Sequence, residues 1–228
     1  MTLTHPAAVV FDLDGTLVDS AADIARAMNA GFAPFGVAPF DASAVMGMIG
    51  GGAAVAIQRA ADAAGLKLSA RDLAGVSERF FATYAEVSAE GNGLFPGAIE
   101  ILTELRAHGV RTAVCTNKAE RVARIAVRAL GLMPHVDIVV GARDDVPKKP
   151  EPHMLRACIE PFGIAPAAAV MVGDSAADLG AGRAAGSRVI LVDFGYSKTP
   201  AGELGADALV SSLWDVPAVA RRLVQALA

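Results

Sequence analysis

The chain has 228 residues, 54% of them hydrophobic and 19% charged, with 20 basic against 24 acidic side chains and a formal net charge of −4. These values fit a globular chain long enough to bury a core, and they exclude a disordered one. With no basic surplus, neither a nucleic acid nor an anionic membrane is expected as a partner.

No run of about 18 uncharged apolar residues marks a membrane span. Residues 1–6 lack the basic start and apolar run of a signal peptide. Cys115 and Cys158 are too few for a secreted disulfide scaffold, so two reduced thiols and a cytoplasmic location are expected.

Taken in chain order, the first element is the apolar run Ala7-Ala8-Val9-Val10-Phe11, which stops at Asp12 and reads as a strand buried on both faces. Residues 21–35, 54–64 and 70–87 then follow helical patterns without a buried-strand run. Turn signals flank them at Gly15 and at Glu90-Gly91-Asn92-Gly93, which is how a helical domain inserted after the first strand would look. Beyond it, helical patterns over 98–108, 119–130 and 152–162 alternate with strand-like runs over 110–115, 138–140, 168–172 and 188–192. Residues 213–228 read as a closing helix in which Trp214 packs into the core. The alternation predicts an α/β fold, a Rossmann-like parallel sheet with helices on both faces and an inserted all-helical domain. The boundaries are 1–19 and 90–228 for the core domain and 20–89 for the insertion. Ligands of such sheets bind outside the carboxyl ends of the strands.

Polar residues gather at those ends. Asp12 and Asp14, two apart, face the same way and would repel unless a cation or shared proton intervened. Mg²⁺ suits an oxygen-only site of this kind. A turn would also use such acids. Thr116 and Asn117 follow the second core strand, where they would either bind phosphoryl oxygens or cap the next helix. Lys149, ahead of Pro150, is held extended, either as a positioned ammonium or as half of a solvated Lys148-Lys149 pair. Asp174 and Asp178, i and i+4, share a face; a metal would relieve their repulsion, or one caps the helix while the other is solvated.

Together, in this order, these groups resemble the four motifs of the haloacid dehalogenase superfamily of phosphatases. Asp12-Leu13-Asp14-Gly15-Thr16 is similar to the first, Thr116-Asn117 to the second, Lys149-Pro150 to the third and Gly173-Asp174-Ser175 through Asp178 to the fourth. The insertion resembles the superfamily's helical (C1) cap. The resemblance implies a Mg²⁺-dependent phosphomonoester hydrolase. Asp12 would attack phosphorus to form an aspartyl-phosphate, and Asp14 would serve as general acid and base. Mg²⁺ would be held by Asp12, the Asp14 carbonyl, Asp174 and Asp178, the last directly or through water. Thr116, Asn117 and Lys149 would bind the phosphoryl group.

Several strings further resemble bacterial phosphoglycolate phosphatases: Val18-Asp19-Ser20, the cap loop Ile49-Gly50-Gly51-Gly52-Ala53, residues 142–150, and Phe194-Gly195-Tyr196. That likeness implies 2-phosphoglycolate as substrate, with Gly50, Gly51 and Gly52 facing it; exposed loop N–H groups suit a small carboxylate. The alternatives are a phosphatase for a sugar or amino-sugar phosphate, a β-phosphoglucomutase-like phosphotransferase, a phosphonatase using Lys67 as a Schiff base, and a catalytically dead interaction module. The expected partner is a small phosphorylated metabolite, and the expected state a monomer or weak homodimer. Arg59 reads as a surface residue, His153 as a helix start and Cys115 as a buried inert thiol.

Overall fold

The computed structural model describes residues 7–49, 51–90 and 93–225. Among these residues six parallel strands form one sheet in the order β3-β2-β1-β4-β5-β6. The central strand β1 (Ala8–Phe11) is buried along its whole length, as a continuous apolar run at the middle of a parallel sheet should be. It pairs with β2 (Arg111–Ala119) on one side and β4 (Ala169–Gly173) on the other, with Phe11 level with both Val114 and Val172. That register brings the residues after all three strands to one edge of the sheet. Strand β3 (Ile138–Ala142) extends one wing; β5 (Arg188–Val192) and β6 (Ala208–Val210) extend the other. The direction of winding reverses between β1 and β4, where open sheets of this type form their ligand crevice.

Side-chain alternation divides the sheet between two layers. Val9, Phe11, Val114 and Val172 face α5 (Ala98–Ala107), α6 (Glu120–Ala129) and α9 (Val216–Gln225). Ala8, Val10, Met171 and Leu191 face α7 (His153–Ile159) and α8 (Ala176–Ala185). Each large side chain buried in these layers contributes about 1.5–3 kcal/mol.

The helices between β1 and α5 have an apolar core of their own. They are α1 (Ala21–Phe32), α2 (Ala42–Met46), α3 (Ala53–Ala63) and α4 (Ala70–Ser88), packed around Ile24, Met28, Phe32, Ile57, Val76 and Phe80. Val122 of α6 joins this cluster and so ties it to the sheet's own helices. Small residues let α1 and α4 approach: a methyl group on Gly31 would lie 3.1 Å from Val76, and Arg79 Nε donates to the Gly31 carbonyl at 3.1 Å. Ser69 and Asp72 cap the start of α4 with reciprocal hydrogen bonds.

Three features differ from the expectations above. β2 does not stop at Cys115 but runs through Thr116-Asn117-Lys118 to Ala119, with a register shift against β3. The cap position of α6 is therefore Ala119, and neither Thr116 nor Asn117 caps that helix. Two short elements, α2 and β6, fall where no helix or strand was expected. Trp214 is 55% exposed rather than core-packed. Only part of its ring is covered, against Gly97, where a Cβ would come within 2.9 Å of the indole and the backbone has φ +90°.

Candidate active site

The edge at which β1, β2 and β4 end carries the polar residues. The N–H of Asp12 still donates to Val172 across the sheet at 2.8 Å, which locks the Asp12 backbone to β4. One carboxylate oxygen from each of Asp12, Asp174 and Asp178 lies within 4.8 Å of the others. Asp178, one turn into α8, is fully buried. Its Oδ2 accepts from Ser175 Oγ at 2.6 Å and Ser175 N–H at 3.1 Å, and its Oδ1 accepts from Lys149 at 2.6 Å. The solvated-surface alternatives for Asp178 and Lys149 are excluded.

Lys149 holds the group together. Its ammonium donates to the Cys115 carbonyl at 2.7 Å and to Asp178, and lies 3.0 Å from Asp12 Oδ1. The same Asp12 oxygen accepts from Leu13 N–H at 2.7 Å, so Oδ2 is the less committed atom. Asn117 positions the lysine: its amide donates to the Lys149 carbonyl at 2.9 Å and accepts from the Lys149 N–H at 3.0 Å. The Asn117 side chain, expected on a phosphoryl group, keeps one amide N–H for that purpose. Thr116 is buried, and its Oγ1 accepts from Lys118 N–H at 3.2 Å, which leaves the hydroxyl proton available.

Crowded carboxylates out of water resist ionisation. Burial lifts Asp174 to about 8, reinforced by Asp178 and Asp12. Burial also lifts Asp12, to about 6, against the opposing pull of Lys149. Lys149 is itself disfavoured by burial, but Asp12 and Asp178 outweigh this and hold it firmly protonated. Three acids balanced by one ammonium leave an excess of negative charge in a dry place, and oxygen donors so arranged fit a hard divalent cation. Gly15 permits the crowding. With φ +81°, it puts hydrogen where a Cβ would stand 2.5 Å from an Asp174 oxygen.

Asp14 stands apart from this cluster. Its carboxylate is 2.7 Å from the Lys118 ammonium, whose side chain is only 4% exposed. Lys118 in turn lies over the ring of Tyr84 from α4, 4.6 Å from its centroid. Tyr196, after β5, is the second connection between layers. Its N–H donates to Asp174 Oδ2 at 2.6 Å, and its hydroxyl contacts Asp19 and the N–H of Ala21 where the chain enters α1. Sequence reasoning missed both roles. Lys118 directly follows Thr116-Asn117, and that adjacency was the signal; Tyr196 had no signal beyond its place in Phe194-Gly195-Tyr196.

Asp12, Asp14, Thr116, Asn117, Lys118, Lys149, Asp174 and Tyr196 line one cavity of about 300 Å³ between the sheet edge and the helices, roofed by Ile24, Phe80, Phe81 and Tyr84. Gly51 and Gly52 reach it, and a Cβ on Gly52 would lie 3.7 Å from the Asn117 carbonyl. Gly50 lies outside the described residues. Arg59 is not a surface residue: it lines the cavity and donates to the carbonyls of Met48 and Ile49 at 3.0 and 3.2 Å, fixing the loop before Gly51. Lys67 is exposed and away from the cavity wall, which removes the Schiff-base alternative. Cys115 and Cys158 are buried free thiols, and His153 begins α7 on the surface.

Residues 6–186 match the family model of haloacid dehalogenase-like hydrolases. Phosphoglycolate phosphatase of Rhodospirillum rubrum is 41% identical over 90% of this chain and 86% of its own length. That of Caulobacter vibrioides is 36% identical over 92% and 89%. Among solved structures, a predicted phosphoglycolate phosphatase from Haemophilus somnus superposes with a TM-score of 0.88 at 28% identity, over 95% of this chain and 99% of that one. CbbY from Rhodobacter sphaeroides, a mutant in complex with xylulose-(1,5)bisphosphate, superposes with 0.75 at 27% identity, over 91% and 94%.

Proposed function

The chain belongs to the haloacid dehalogenase-like hydrolases, and from that premise we propose that it hydrolyses 2-phosphoglycolate to glycolate and phosphate through an aspartyl-phosphate on Asp12. One observation carries the reading: Lys149 bridges Asp12 and Asp178 in a buried carboxylate group that opens on the same cavity as Asp14 and Thr116. The substrate is supported by relatives of that name at 41% and 36% identity.

Residues 20–89 act as the cap over a core of 1–19 and 90–228. Asp12, Asp174, Asp178 and the Asp14 carbonyl would hold Mg²⁺, which would supply the positive charge that lets a phosphate dianion approach a carboxylate. Asp12 attacks phosphorus through its side chain, with Lys149 neutralising charge on the nucleophile and the phosphoryl oxygens. Thr116 donates its hydroxyl to a phosphoryl oxygen, and Asn117 adds its remaining amide N–H while keeping Lys149 in register. Asp14 gives a proton to the departing glycolate oxygen and then takes one from the water that cleaves the acyl phosphate. Gly51 and Gly52 present the cap loop to the substrate.

The buried, unpaired cysteines support a reducing, cytoplasmic setting, and no helix among the described residues is long and apolar enough to cross a membrane. A monomer or weak homodimer suffices, because one chain supplies every residue named. Steady-state kinetics on 2-phosphoglycolate, hexose phosphates, muramic-type phosphates and xylulose-1,5-bisphosphate test the substrate. A kcat/KM at least about 100-fold higher for 2-phosphoglycolate is expected; a higher value for a sugar phosphate would replace it with the sugar-phosphatase reading.

A further inference from the structure

We infer that Lys118 is the receptor for the substrate's carboxylate and thereby sets specificity for a phosphorylated 2-hydroxy acid; this rests on the reading of Asp14 and of the substrate just given. Lys118 and Lys149 are the two cations of the cavity wall whose side chains are nearly inaccessible, at 4% and 1% exposure. Lys149 is turned to Cys115, Asp12 and Asp178, on the side of the nucleophile and the phosphoryl group. Lys148 and Lys198 are exposed, and Arg59 is turned to the carbonyls of its own loop.

Bond connectivity makes Lys118 the cation a carboxylate would meet. Asp14 must sit on the bridging oxygen of the phosphoester to protonate it. In a 2-phosphorylated hydroxy acid the carboxylate carbon is two bonds from that oxygen. An ammonium 2.7 Å from Asp14, on the wall of the same cavity, is within reach of that carboxylate when Asp14 is beside the bridging oxygen.

A second observation concerns the surroundings. Tyr84 lines the cavity with its ring against Lys118, and its buried hydroxyl has Lys118 and Ser20 as its polar neighbours. A buried hydroxyl next to a cation suits an anionic ligand carrying several acceptor oxygens. Because Tyr84 comes from α4 and Lys118 from β2, a carboxylate seated there touches both layers at once.

The test compares 2-phosphoglycolate with ethyl phosphate, which has the same bridging oxygen and no carboxylate. The wild type should prefer 2-phosphoglycolate in kcat/KM by at least about 100-fold; no preference would refute the substrate reading and not this inference alone. In Lys118→Met the preference should collapse to within a few-fold, and in Lys118→Arg much of it should survive. Equal losses on both esters, with the preference intact, would overturn the inference and leave Lys118 as a positioning residue for Asp14. If Lys118→Met does not fold, Lys118→Gln, which keeps a donor to Asp14 without the charge, is judged by the same ratio.

Discussion

Asp12 and Asp14 illustrate how position divides the work of two like residues. Asp12 is held by Leu13 N–H and Lys149 within a group of acids, whereas Asp14 is turned to Lys118 and the helical layer. Asp12→Asn keeps the shape but loses the anionic oxygen, and Mg²⁺-dependent hydrolysis of p-nitrophenyl phosphate should fall by at least about 10⁴-fold with an unchanged circular dichroism spectrum. A loss of under tenfold would count against the nucleophile. The raised acids also make a pH prediction. Asp12 at about 6 and Asp174 at about 8 bind protons more tightly than in the unfolded chain, where both titrate near 3.8. Their protonation therefore stabilises the fold fully below pH ~4, and this contribution is lost as pH rises through about 6 and then about 8. A cation competes with those protons, so Mg²⁺ should raise Tm more at pH 8.5 than at pH 5.5 in scanning calorimetry. An equal or larger rise at the lower pH would contradict the assignment of these acids as its ligands.

At the scale of elements, strand register was the legible part of the site. Short apolar runs ending at Asp12, before Thr116 and at Gly173-Asp174 were readable as strands, and parallel pairing then brings the ends together without knowledge of the loops. What could not be read was where polar strand residues continue. β2 persists through Thr116-Asn117-Lys118 because these side chains meet Asp14, Lys149 and the cavity, and a periodicity argument treats such residues as loop. β6, with three residues at the sheet edge, and α2, with five, are too short to show a period. Trp214 was expected in the core as part of the closing helix, but it stands in a short turn before α9, where Gly97 seats one edge of the ring. Tyr196 likewise depends on a contact between distant segments. Its N–H holds Asp174 and its hydroxyl holds the entry to α1. Tyr196→Phe retains the first contact and deletes the second, so it should cost about 1 kcal/mol of stability in chemical denaturation and lower kcat/KM several-fold, with the Mg²⁺ requirement unchanged. A shifted Mg²⁺ dependence would mean that the hydroxyl, and not only the N–H, supports the metal site.

The molecule as a whole is a sheet that gathers charge and a helical layer that closes over it. The two have separate apolar cores joined through Val122, so the cavity lies at a seam rather than inside either core. Ion pairing at that seam is buried on both sides of Asp12: Lys149 is 1% exposed and Asp178 is inaccessible. Without Asp178 the buried Lys149 keeps Asp12 and the Cys115 carbonyl but loses one acceptor, and Ser175 loses its reciprocal cap, so Asp178→Ala should destabilise the protein by about 1–3 kcal/mol in urea unfolding. A change within about 0.5 kcal/mol, the range of ordinary surface substitutions, would show that the carboxylate is not carrying the Lys149 charge.

In this mechanism Asp12 carries the phosphoryl group between the two half-reactions. Acid quenching during turnover of 2-phosphoglycolate with Mg²⁺, followed by peptide mass spectrometry, measures this directly. One phosphoryl group on the peptide containing Asp12, absent from Asp12→Asn, is the predicted result. Rapid hydrolysis by Asp12→Asn, or a phosphoryl group trapped on any other residue, would contradict it.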